Sequence, residues 1–238
     1  MPRSRTSDGW PLMVITHPRP ACGQPLERVV AECVDAGAPA IQLRDKTADS
    51  RALATTAARL RAITASAGST LIMNDRLDVA LAIGADGVHL GPDDLTVPAA
   101  RDIAPPDFII GYSTDDPEEA RRAAAAGADY LGVGAVFGTR SKPGLANEAI
   151  GPDRIRIVRE ASGLPCLGIG GITLQNAPEV LEIDAGIAVL STVMSASDPG
   201  AVVRRLLRIA RGGGGGGRGG GGGEPPPGGA RARRPPPR

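Results

Sequence analysis

The sequence predicts a single-domain α/β protein folded as a closed (β/α)8 TIM barrel. Eight short apolar runs alternate with eight segments of helical period, which indicates strands that are each followed by a helix. The stretch that carries them is roughly 200 residues long, near the lower size limit of such a barrel. An open doubly wound sheet is the main structural alternative, but "HPRPACGQP" follows the first strand where that fold has a glycine-rich turn. The barrel is therefore the preferred prediction.

The predicted elements alternate regularly along the chain. The strands are Leu12–Thr16, Ala40–Arg44, Thr70–Asn74, Gly87–Leu90, Phe108–Tyr112, Tyr130–Phe137, Pro165–Ile169 and Ile187–Ser191. The helices are Leu26–Ala36, Ser50–Ala67, Asp78–Ile83, Val97–Ile103, Pro117–Ala126, Pro152–Ala161, Gln175–Ile183 and Pro199–Ala210. Several helices end at a glycine, as in "DAGAPA" and "AAAGADY", because glycine readily adopts the left-handed conformation that closes a helix.

Composition predicts a soluble cytoplasmic protein. Hydrophobic residues make up 42% of the chain but aromatic ones only 2%, so Ala, Val, Ile and Leu must build the core. Three widely spaced cysteines without a C-x-x-C pair fit reduced thiols better than disulfides or a zinc site. No apolar run is long enough for a signal peptide or a membrane span, so no membrane partner is expected.

Low-complexity segments flank the predicted barrel. Residues 1–9 are polar and are predicted to be flexible, and residues 10–210 form the barrel. The tail at 211–238 holds 13 of the 33 glycines, 6 of the 22 prolines, six Arg and one Glu, a composition that predicts disorder. Arg-Gly segments can bind RNA loosely. However, the tail lacks aromatic residues, and residues 1–210 carry a net charge of −4, so nucleic acid is not the expected partner.

Charged and polar residues follow the strands at the barrel end where active sites form. Gln42, Arg44 and Lys46 alternate on one face at the end of strand two. Asp75 follows strand three, and Asp93 and Asp94 follow strand four on the neighbouring barrel position. Asp75 and one of the other two could share a Mg²⁺ ion, since this ion binds one or two carboxylates together with phosphate oxygens. Capping of the next helix is the equally weighted alternative for Asp93 and Asp94.

Strands seven and eight predict a phosphate site. Barrels often bind phosphate between these loops through backbone N–H groups, and "GIGGIT" is small enough to expose them. Across the same mouth, a Mg²⁺ site with Arg44, Lys46 and Lys142 would suit a pyrophosphate. Two phosphorylated substrates facing each other predict a transfer reaction from which pyrophosphate leaves, with the metal and cations stabilising the departing charge.

Six motifs in this order and spacing resemble those of the thiamine-phosphate synthase family. They are "QLRDK", "MNDR", "ADGVHLGPDD", "GADYLGVGAVFGTRSK", "GIGGIT" and "VLST", and the likeness spans about Leu12 to Ala210. The resemblance implies a (β/α)8 barrel and one Mg²⁺ ion. It also implies that a hydroxymethylpyrimidine diphosphate is joined to a thiazole phosphate, or to its carboxylated form. Pyrophosphate departs and leaves a pyrimidine-stabilised cation that the thiazole nitrogen attacks.

The resemblance also assigns site residues, position by position. Asp75 and Asp94 would bind Mg²⁺, and the catalytic residues would be Arg44, Lys46, Ser113 and Lys142. The pyrimidine diphosphate site would comprise Gln42, Leu43, Arg44, Asp45, Lys46, Asn74, Ser113 and Lys142. Thr139, Arg140 and Ser141 would contact the thiazole, and Gly171, Leu190 and Ser191 would bind its phosphate. Gly138, Asp115 and His17 depart from the usual pattern, which has Pro, His and Asp there.

Some interpretations stay open at this point. His89, in "GVHLG", is expected to be a hydrogen-bonded interior histidine instead of a catalytic one. A thiazole tautomerase-like paralogue of the same fold is the nearest alternative function, although it would need neither Mg²⁺ nor a diphosphate site. A non-catalytic regulator that binds nucleic acid through the tail is the alternative of another class. A homo-oligomer is compatible with the sequence.

Overall fold

The computed structural model of the chain describes residues 9–138 and 149–212. Eight parallel strands form a closed barrel in sequence order, and β8 pairs with β1 to complete it. Helices alternate with the strands along the chain. The predicted (β/α)8 fold is confirmed, and the open doubly wound sheet is excluded. Within the two described ranges, no helix combines the length and the apolar character needed to cross a membrane.

The observed elements follow the predicted order closely. The strands are β1 (Leu12–Ile15), β2 (Ala40–Leu43), β3 (Thr70–Asn74), β4 (Gly87–Leu90), β5 (Ile109–Ser113), β6 (Tyr130–Val133), β7 (Cys166–Ile169) and β8 (Gly186–Val189). The helices are α1 (Leu26–Asp35), α2 (Ser50–Ser66), α3 (Leu77–Ala82), α4 (Val97–Ile103), α5 (Pro117–Ala125), α6 (Pro152–Ser162), α7 (Ala177–Leu181), α8 (Ser191–Met194) and α9 (Pro199–Gly212).

Local side-chain hydrogen bonds explain where several helices begin. Asp49 accepts a hydrogen bond from the Ala52 N–H at 2.9 Å and so caps α2. Asp116 accepts one from the Glu118 N–H at 2.9 Å, directly before Pro117 opens α5. These caps satisfy N–H groups that have no partner inside the helix, and they fix the point at which each loop from the barrel mouth turns into a helix.

The apolar core has two layers, one on each face of the barrel wall. The outer layer packs the strands against the helices and consists mainly of Val, Leu, Ile and Ala. The inner layer fills the barrel and includes Trp10, Met13, Ile72, Tyr130 and Leu167. The Trp10 and Tyr130 rings meet edge to face with their centroids 5.3 Å apart. Trp10 and Tyr130 thus fill the barrel interior, whereas Phe108, Tyr112 and Phe137 pack in the outer layer.

Four predicted elements have a boundary that is wrong by two or more residues. The strand predicted for Tyr130–Phe137 ends at Val133. Here the wall has a bulge, because Val133 lies opposite Gly168 while the Val136 N–H donates to the Ile169 carbonyl at 2.8 Å. Helix α7 is shorter than predicted, since Thr173 and Asn176 hydrogen-bond to each other and hold a turn before it.

The other two boundary errors lie near the carboxyl end of the barrel. Strand β8 ends at Val189, and the predicted strand residue Ser191 instead begins the short helix α8, which was not predicted. Helix α9 reaches Gly212, two residues beyond the predicted end of the barrel at 210. The remainder of the predicted tail, and residues 1–8, lie outside the described part of the chain.

Candidate active site

A cavity of about 290 Å³ opens at the carboxyl ends of the strands. One side is apolar and glycine-rich, with Met13, Ile15 and Ile169 among its residues, and the other side is polar. The polar and small residues that line it are Gln42, Arg44, Asn74, His89, Ser113, Thr114, Asp115, Glu119, Gly170, Gly171 and Ser191. A slot with one apolar wall and one polar wall suits a flat heteroaromatic ring that carries phosphate groups.

The segment at the end of β2 divides its residues between the cavity and the scaffold. Gln42 and Arg44 line the cavity, whereas the Leu43 side chain is buried in the outer core between strands and helices. The Asp45 carboxylate accepts hydrogen bonds from the Thr47 N–H, the Thr47 hydroxyl and the Ala48 N–H at 2.8–3.1 Å. The Leu43 side chain and the Asp45 carboxylate are therefore structural, which leaves their backbone for any contact with a substrate.

The carboxylate of Asp45 is held ionised by this turn. Burial raises its pKa, but the hydrogen bonds from Thr47 and Ala48 outweigh burial and hold the pKa below its ordinary value. A carboxylate that is already saturated with donors has little capacity left for a ligand. Its contribution is to fix the loop that carries Lys46.

Asp75, Asp94 and Lys46 meet at the rim of the cavity, beside Asn74 and Pro92. The Lys46 Nζ atom lies 3.2 Å from the Asp75 Oδ2 atom. Burial, followed by hydrogen bonding to Asp94 and its charge, raises the pKa of the Asp75 carboxyl, although Lys46 acts in the opposite direction. Two carboxylates from neighbouring strands are thus held close enough to interact, as the sequence predicted.

Backbone conformation and hydrogen bonds to the backbone hold Asp75 and Asp94 in place. Asp75 has a φ of 64°, in the left-handed region, and its N–H donates to the His89 carbonyl of the next strand at 2.8 Å. Asp94 accepts a hydrogen bond from the Gly91 N–H at 2.7 Å. The alternative that Asp93 or Asp94 caps a helix was wrong, because Thr96 is the N-cap of α4 and Asp93 is exposed.

The two acids fit a Mg²⁺ ion better than a transition metal. Among the described residues, no group of three or more His, Cys, Asp and Glu side chains could hold a metal ion. Mg²⁺ needs no such group, since it is usually held by one or two carboxylates, waters and substrate phosphate oxygens. The two carboxylates lie so close that they disfavour each other's ionisation, and a divalent cation between them would relieve this repulsion.

Ser113 and His89 form the inner polar wall. Ser113 ends β5, and its Oγ atom lies 2.7 Å from the His89 Nε2 atom. The His89 Nδ1 atom lies 2.9 Å from the Tyr130 hydroxyl. His89 is therefore hydrogen-bonded through both ring nitrogens inside the barrel, as expected from the sequence.

The loops after β7 and β8 lie on the side of the mouth where a phosphate site was predicted. Gly170 and Gly171 both have positive φ angles, of 96° and 66°. A Cβ atom on Gly171 would lie 2.5 Å from the Gly138 carbonyl oxygen, so only glycine lets these two loops approach. Ser191 and Leu190 line the same cavity, at the start of α8. The first N–H groups of a helix have no partner inside it, and those of α8 lie at the cavity where the phosphate site was predicted.

The predicted residues Thr139, Arg140, Ser141 and Lys142 lie outside the described residues. Their loop follows Gly138, whose carbonyl lies beside Gly171. These four residues thus remain predictions from the sequence.

Sequence reasoning missed Glu119, which lines the cavity from the first turn of α5. Its two carboxylate oxygens accept hydrogen bonds from the Tyr112 hydroxyl at 2.7 Å and the Thr114 hydroxyl at 2.6 Å. Burial and then Glu119 raise the pKa of Tyr112 to about 12. In the sequence, Glu119 is indistinguishable from an ordinary acid at a helix start, and no pattern pointed to it.

Comparison with known proteins gives a consistent result. The family model described as thiamine monophosphate synthase matches residues 12–193. A thiamine-phosphate synthase of Natronomonas pharaonis is 47% identical over 203 residues, which cover 84% of this chain and 94% of the relative. That of Haloarcula marismortui is 44% identical over 200 residues, covering 83% of this chain and 95% of the relative.

A solved structure agrees with these relatives. The thiamine phosphate pyrophosphorylase from Pyrococcus furiosus superposes with a TM-score of 0.79 at 39% identity. The match covers 87% of this chain and 98% of that protein.

Proposed function

Since the chain belongs to the thiamine monophosphate synthase family, we propose which residues of its barrel mouth carry out the synthesis of thiamine phosphate. The enzyme is a transferase that acts on phosphorylated small molecules. In the proposed reaction, a hydroxymethylpyrimidine diphosphate and a thiazole phosphate are joined, and pyrophosphate leaves. The observation that carries the assignment is the meeting of Asp75, Asp94 and Lys46 at the rim of one cavity whose other side is formed by Gly170 and Gly171.

The pyrimidine diphosphate is proposed to bind on the polar side. Its ring would enter the cavity between the apolar residues Met13, Ile15 and Ile169 and the inner polar wall. Its diphosphate would lie at the mouth, within reach of Arg44, Asn74 and Ser113. Arg44 is placed for this role because its own N–H is bonded to the Thr16 hydroxyl at 3.1 Å, which fixes the backbone at the end of β2. Lys142 is proposed to join them from the loop after β6.

Asp75 and Asp94 are the proposed ligands of one Mg²⁺ ion per chain. When bound, the ion neutralises charge on the diphosphate and so makes pyrophosphate a better leaving group. Lys46 keeps its position through the Asp75 carboxylate and supplies a positive charge next to the same diphosphate.

The thiazole phosphate is proposed to bind on the glycine side. Backbone N–H groups at Gly171, Leu190 and Ser191 would hold its phosphate, as helix starts and glycine turns commonly do. Asn176 supports this loop by donating to the Gly171 carbonyl at 3.0 Å. With the two phosphates anchored on opposite sides, the thiazole nitrogen faces the pyrimidine methylene across the cavity, which favours attack once pyrophosphate has left.

The proposal is tested by supplying the full-length chain with both phosphorylated precursors and measuring thiamine phosphate and pyrophosphate. We expect both products in equal amounts with Mg²⁺ and a loss of both when EDTA removes it. Asp94→Asn should abolish the Mg²⁺ response, whereas Asp93→Asn, a substitution at the exposed neighbour, should preserve it. Turnover unaffected by EDTA would refute the metal assignment, and conversion of the thiazole alone would favour the tautomerase-like alternative.

A further inference from the structure

Four polar side chains form a continuous line from the barrel interior to the cavity. Gln42 lies beside the Tyr130 phenol, with its Nε2 atom 3.5 Å from the Met13 sulfur. Tyr130 contacts the His89 Nδ1 atom at 2.9 Å, and the His89 Nε2 atom contacts the Ser113 Oγ atom at 2.7 Å. All four side chains line the cavity, and Ser113 is the one whose hydroxyl is proposed to contact the diphosphate.

The barrel wall is shaped to accommodate this line. A Cβ atom on Gly111 would lie 2.1 Å from the Cζ atom of Tyr130. A Cβ atom on Gly132 would lie 3.0 Å from the Cε1 atom of His89. Two neighbouring strands therefore lack side chains at the positions that the phenol and the imidazole occupy, and the centroids of the two rings lie 5.4 Å apart inside the barrel.

The donor and acceptor capacities of these groups determine the direction in which each hydrogen bond along the line is donated. Among the described residues, the hydrogen-bond partner of the Tyr130 hydroxyl is the His89 Nδ1 atom, so the phenol donates its proton there and Nδ1 accepts. A neutral imidazole that accepts at Nδ1 carries its proton at Nε2, and that proton is donated to the Ser113 oxygen. The hydroxyl proton of Ser113 is thereby left for the cavity.

The opposite tautomer is disfavoured. A proton on Nδ1 would make His89 a donor to the phenol oxygen and leave the Tyr130 hydroxyl proton without this acceptor. Tyr130 is 2% exposed, so the barrel interior gives it little access to water as a substitute acceptor. A buried hydroxyl without an acceptor is destabilising, and the arrangement selects one proton order.

We infer that His89 is a positioning residue, held as the Nε2–H tautomer by Tyr130, which fixes Ser113 as a hydrogen-bond donor into the cavity. This role rests on the proposed function, in which the diphosphate of the pyrimidine substrate lies beside Ser113 and accepts that donor. As charge builds on the departing pyrophosphate, a donor that is already oriented needs no rearrangement.

The tautomer itself can be observed on the full chain without any reaction. The sequence has only two histidines, so nitrogen-15 spectra of labelled imidazoles are assigned by comparing the wild type with His17→Asn. We expect the Nε2–H tautomer for His89, and a change of its nitrogen shifts in Tyr130→Phe. An Nδ1–H tautomer in the wild type would overturn the inference, whether or not the chain makes thiamine phosphate.

Kinetics separate positioning from simple packing. Glutamine can place a donor where the Nε2 atom stands, whereas asparagine cannot reach it, so His89→Gln should retain at least about 10-fold more kcat than His89→Asn. In a Ser113→Ala background, His89→Asn should cause no further loss of kcat, because the group it orients is absent.

The matched control is Tyr112→Phe, which removes the hydroxyl of the only other tyrosine, on the neighbouring strand. Its kcat should stay within about 3-fold of the wild type, while Tyr130→Phe should lose more. Independent, multiplicative losses for His89→Asn and Ser113→Ala, or equal effects of the two tyrosine substitutions, would contradict the positioning role. A wild type that binds pyrimidine diphosphate but makes no thiamine phosphate would contradict the proposed function instead and leave the tautomer result standing.

Discussion

At the scale of single residues, Asp75 combines a strained backbone conformation with a carboxyl group whose ionised form is disfavoured. Its φ of 64° lies in the left-handed region, which costs a residue with a Cβ atom roughly 1–2 kcal/mol. Its carboxyl group is partly buried next to Asp94, which raises its pKa. Strain of this kind persists where the surrounding structure imposes it, and it is concentrated at functional sites. Asp75 is therefore kept for its chemistry and not for stability.

Asp75→Gly should accordingly separate activity from stability. Glycine adopts the left-handed conformation freely, although it also adds flexibility to the unfolded chain. We expect the free energy of unfolding to stay within about 1 kcal/mol of the wild type, or to rise, while kcat falls by at least about 100-fold. Urea unfolding and steady-state kinetics on the same protein test this. A strongly destabilised variant would show that Asp75 is structural.

Asp184 offers a matched control, since its φ of 59° places it in the same backbone region. It lies on the amino-terminal side of β8 and pairs with Arg159 at the surface, with 92% of its side chain exposed. Asp184→Gly should change stability by a similar small amount and leave kcat intact. Loss of turnover in both variants would mean that backbone flexibility, and not loss of the proposed metal ligand, explains the effect at Asp75.

At the scale of elements, partly buried ion pairs connect helices to the amino-terminal end of the barrel. Asp129, directly before β6, accepts hydrogen bonds from the Ile110 N–H at 2.8 Å and from Arg101 at 2.7 Å. Asp86, directly before β4, accepts from the Leu71 N–H and from Arg61, both at 2.8 Å. Each acid thus ties the start of a neighbouring strand to a helix, at the amino-terminal face of the barrel, which serves stability and not catalysis.

Asp129→Ala should destabilise the fold without affecting catalysis. It removes the charged partner of the half-buried Arg101 guanidinium, which keeps only the Phe108 and Gly127 carbonyls, and it removes an acceptor of the Ile110 N–H. The free energy of unfolding should therefore fall by about 2–3 kcal/mol. Asp153→Ala is the control, because Asp153 also pairs with an arginine but is 86% exposed, and it should change stability by under about 0.5 kcal/mol. Urea titrations measure both. Equal stabilities, or a loss of kcat below the melting transition, would contradict this role.

The sequence was sufficient for the element order because alternation of apolar runs and helical periods is a local pattern. It also placed Asp75 beside the Asp93–Asp94 pair, since strand ends of a parallel barrel share one edge, and the family resemblance then selected Asp94. It could not place the end of β6, because the bulge depends on hydrogen bonds to β7, which lies more than thirty residues along the chain. Glu119 and the line from Gln42 to Ser113 likewise depend on contacts between different strands, and only the folded chain brings them together.

At the scale of the whole molecule, two buried thiols link stability to alkaline pH. Burial raises the pKa of Cys33 and of Cys166 from 9.0 to about 12. The unfolded chain therefore loses these protons first, and the free energy of unfolding should fall as the pH rises from about 9 towards 12. Each thiol contributes a slope of at most about 1.4 kcal/mol per pH unit.

The contribution of Cys33 to this pH dependence of the free energy of unfolding can be measured with two core variants. Between about pH 9 and 10, before tyrosines ionise, Cys33→Ala should reduce the slope of unfolding free energy against pH. Val29→Ala removes a fully buried neighbour on the same helix, so it should lower stability at every pH and leave the slope unchanged. Identical slopes in the wild type and Cys33→Ala would show that this thiol does not couple to folding.

The barrel also predicts how much of the chain catalysis requires. Every described residue that lines the cavity lies between Met13 and Ser191, and α9 packs against α1, α7 and α8 before it ends at Gly212. Removing residues 213–238 deletes net positive charge and none of the described strands and helices. The truncated chain should keep kcat and KM for both substrates within about 2-fold, and its urea midpoint should not move. Truncation after Arg205, which cuts α9 before the buried Leu206 and Leu207, should by contrast destabilise the barrel.

The same deletion tests nucleic-acid binding, because residues 213–238 supply five arginines that an RNA could contact. Any RNA binding that the full chain shows in low salt should be lost when these residues are removed. Loss of turnover on removing residues 213–238 would mean that the tail reaches the barrel mouth, and it would require a catalytic role for a segment whose composition predicts none.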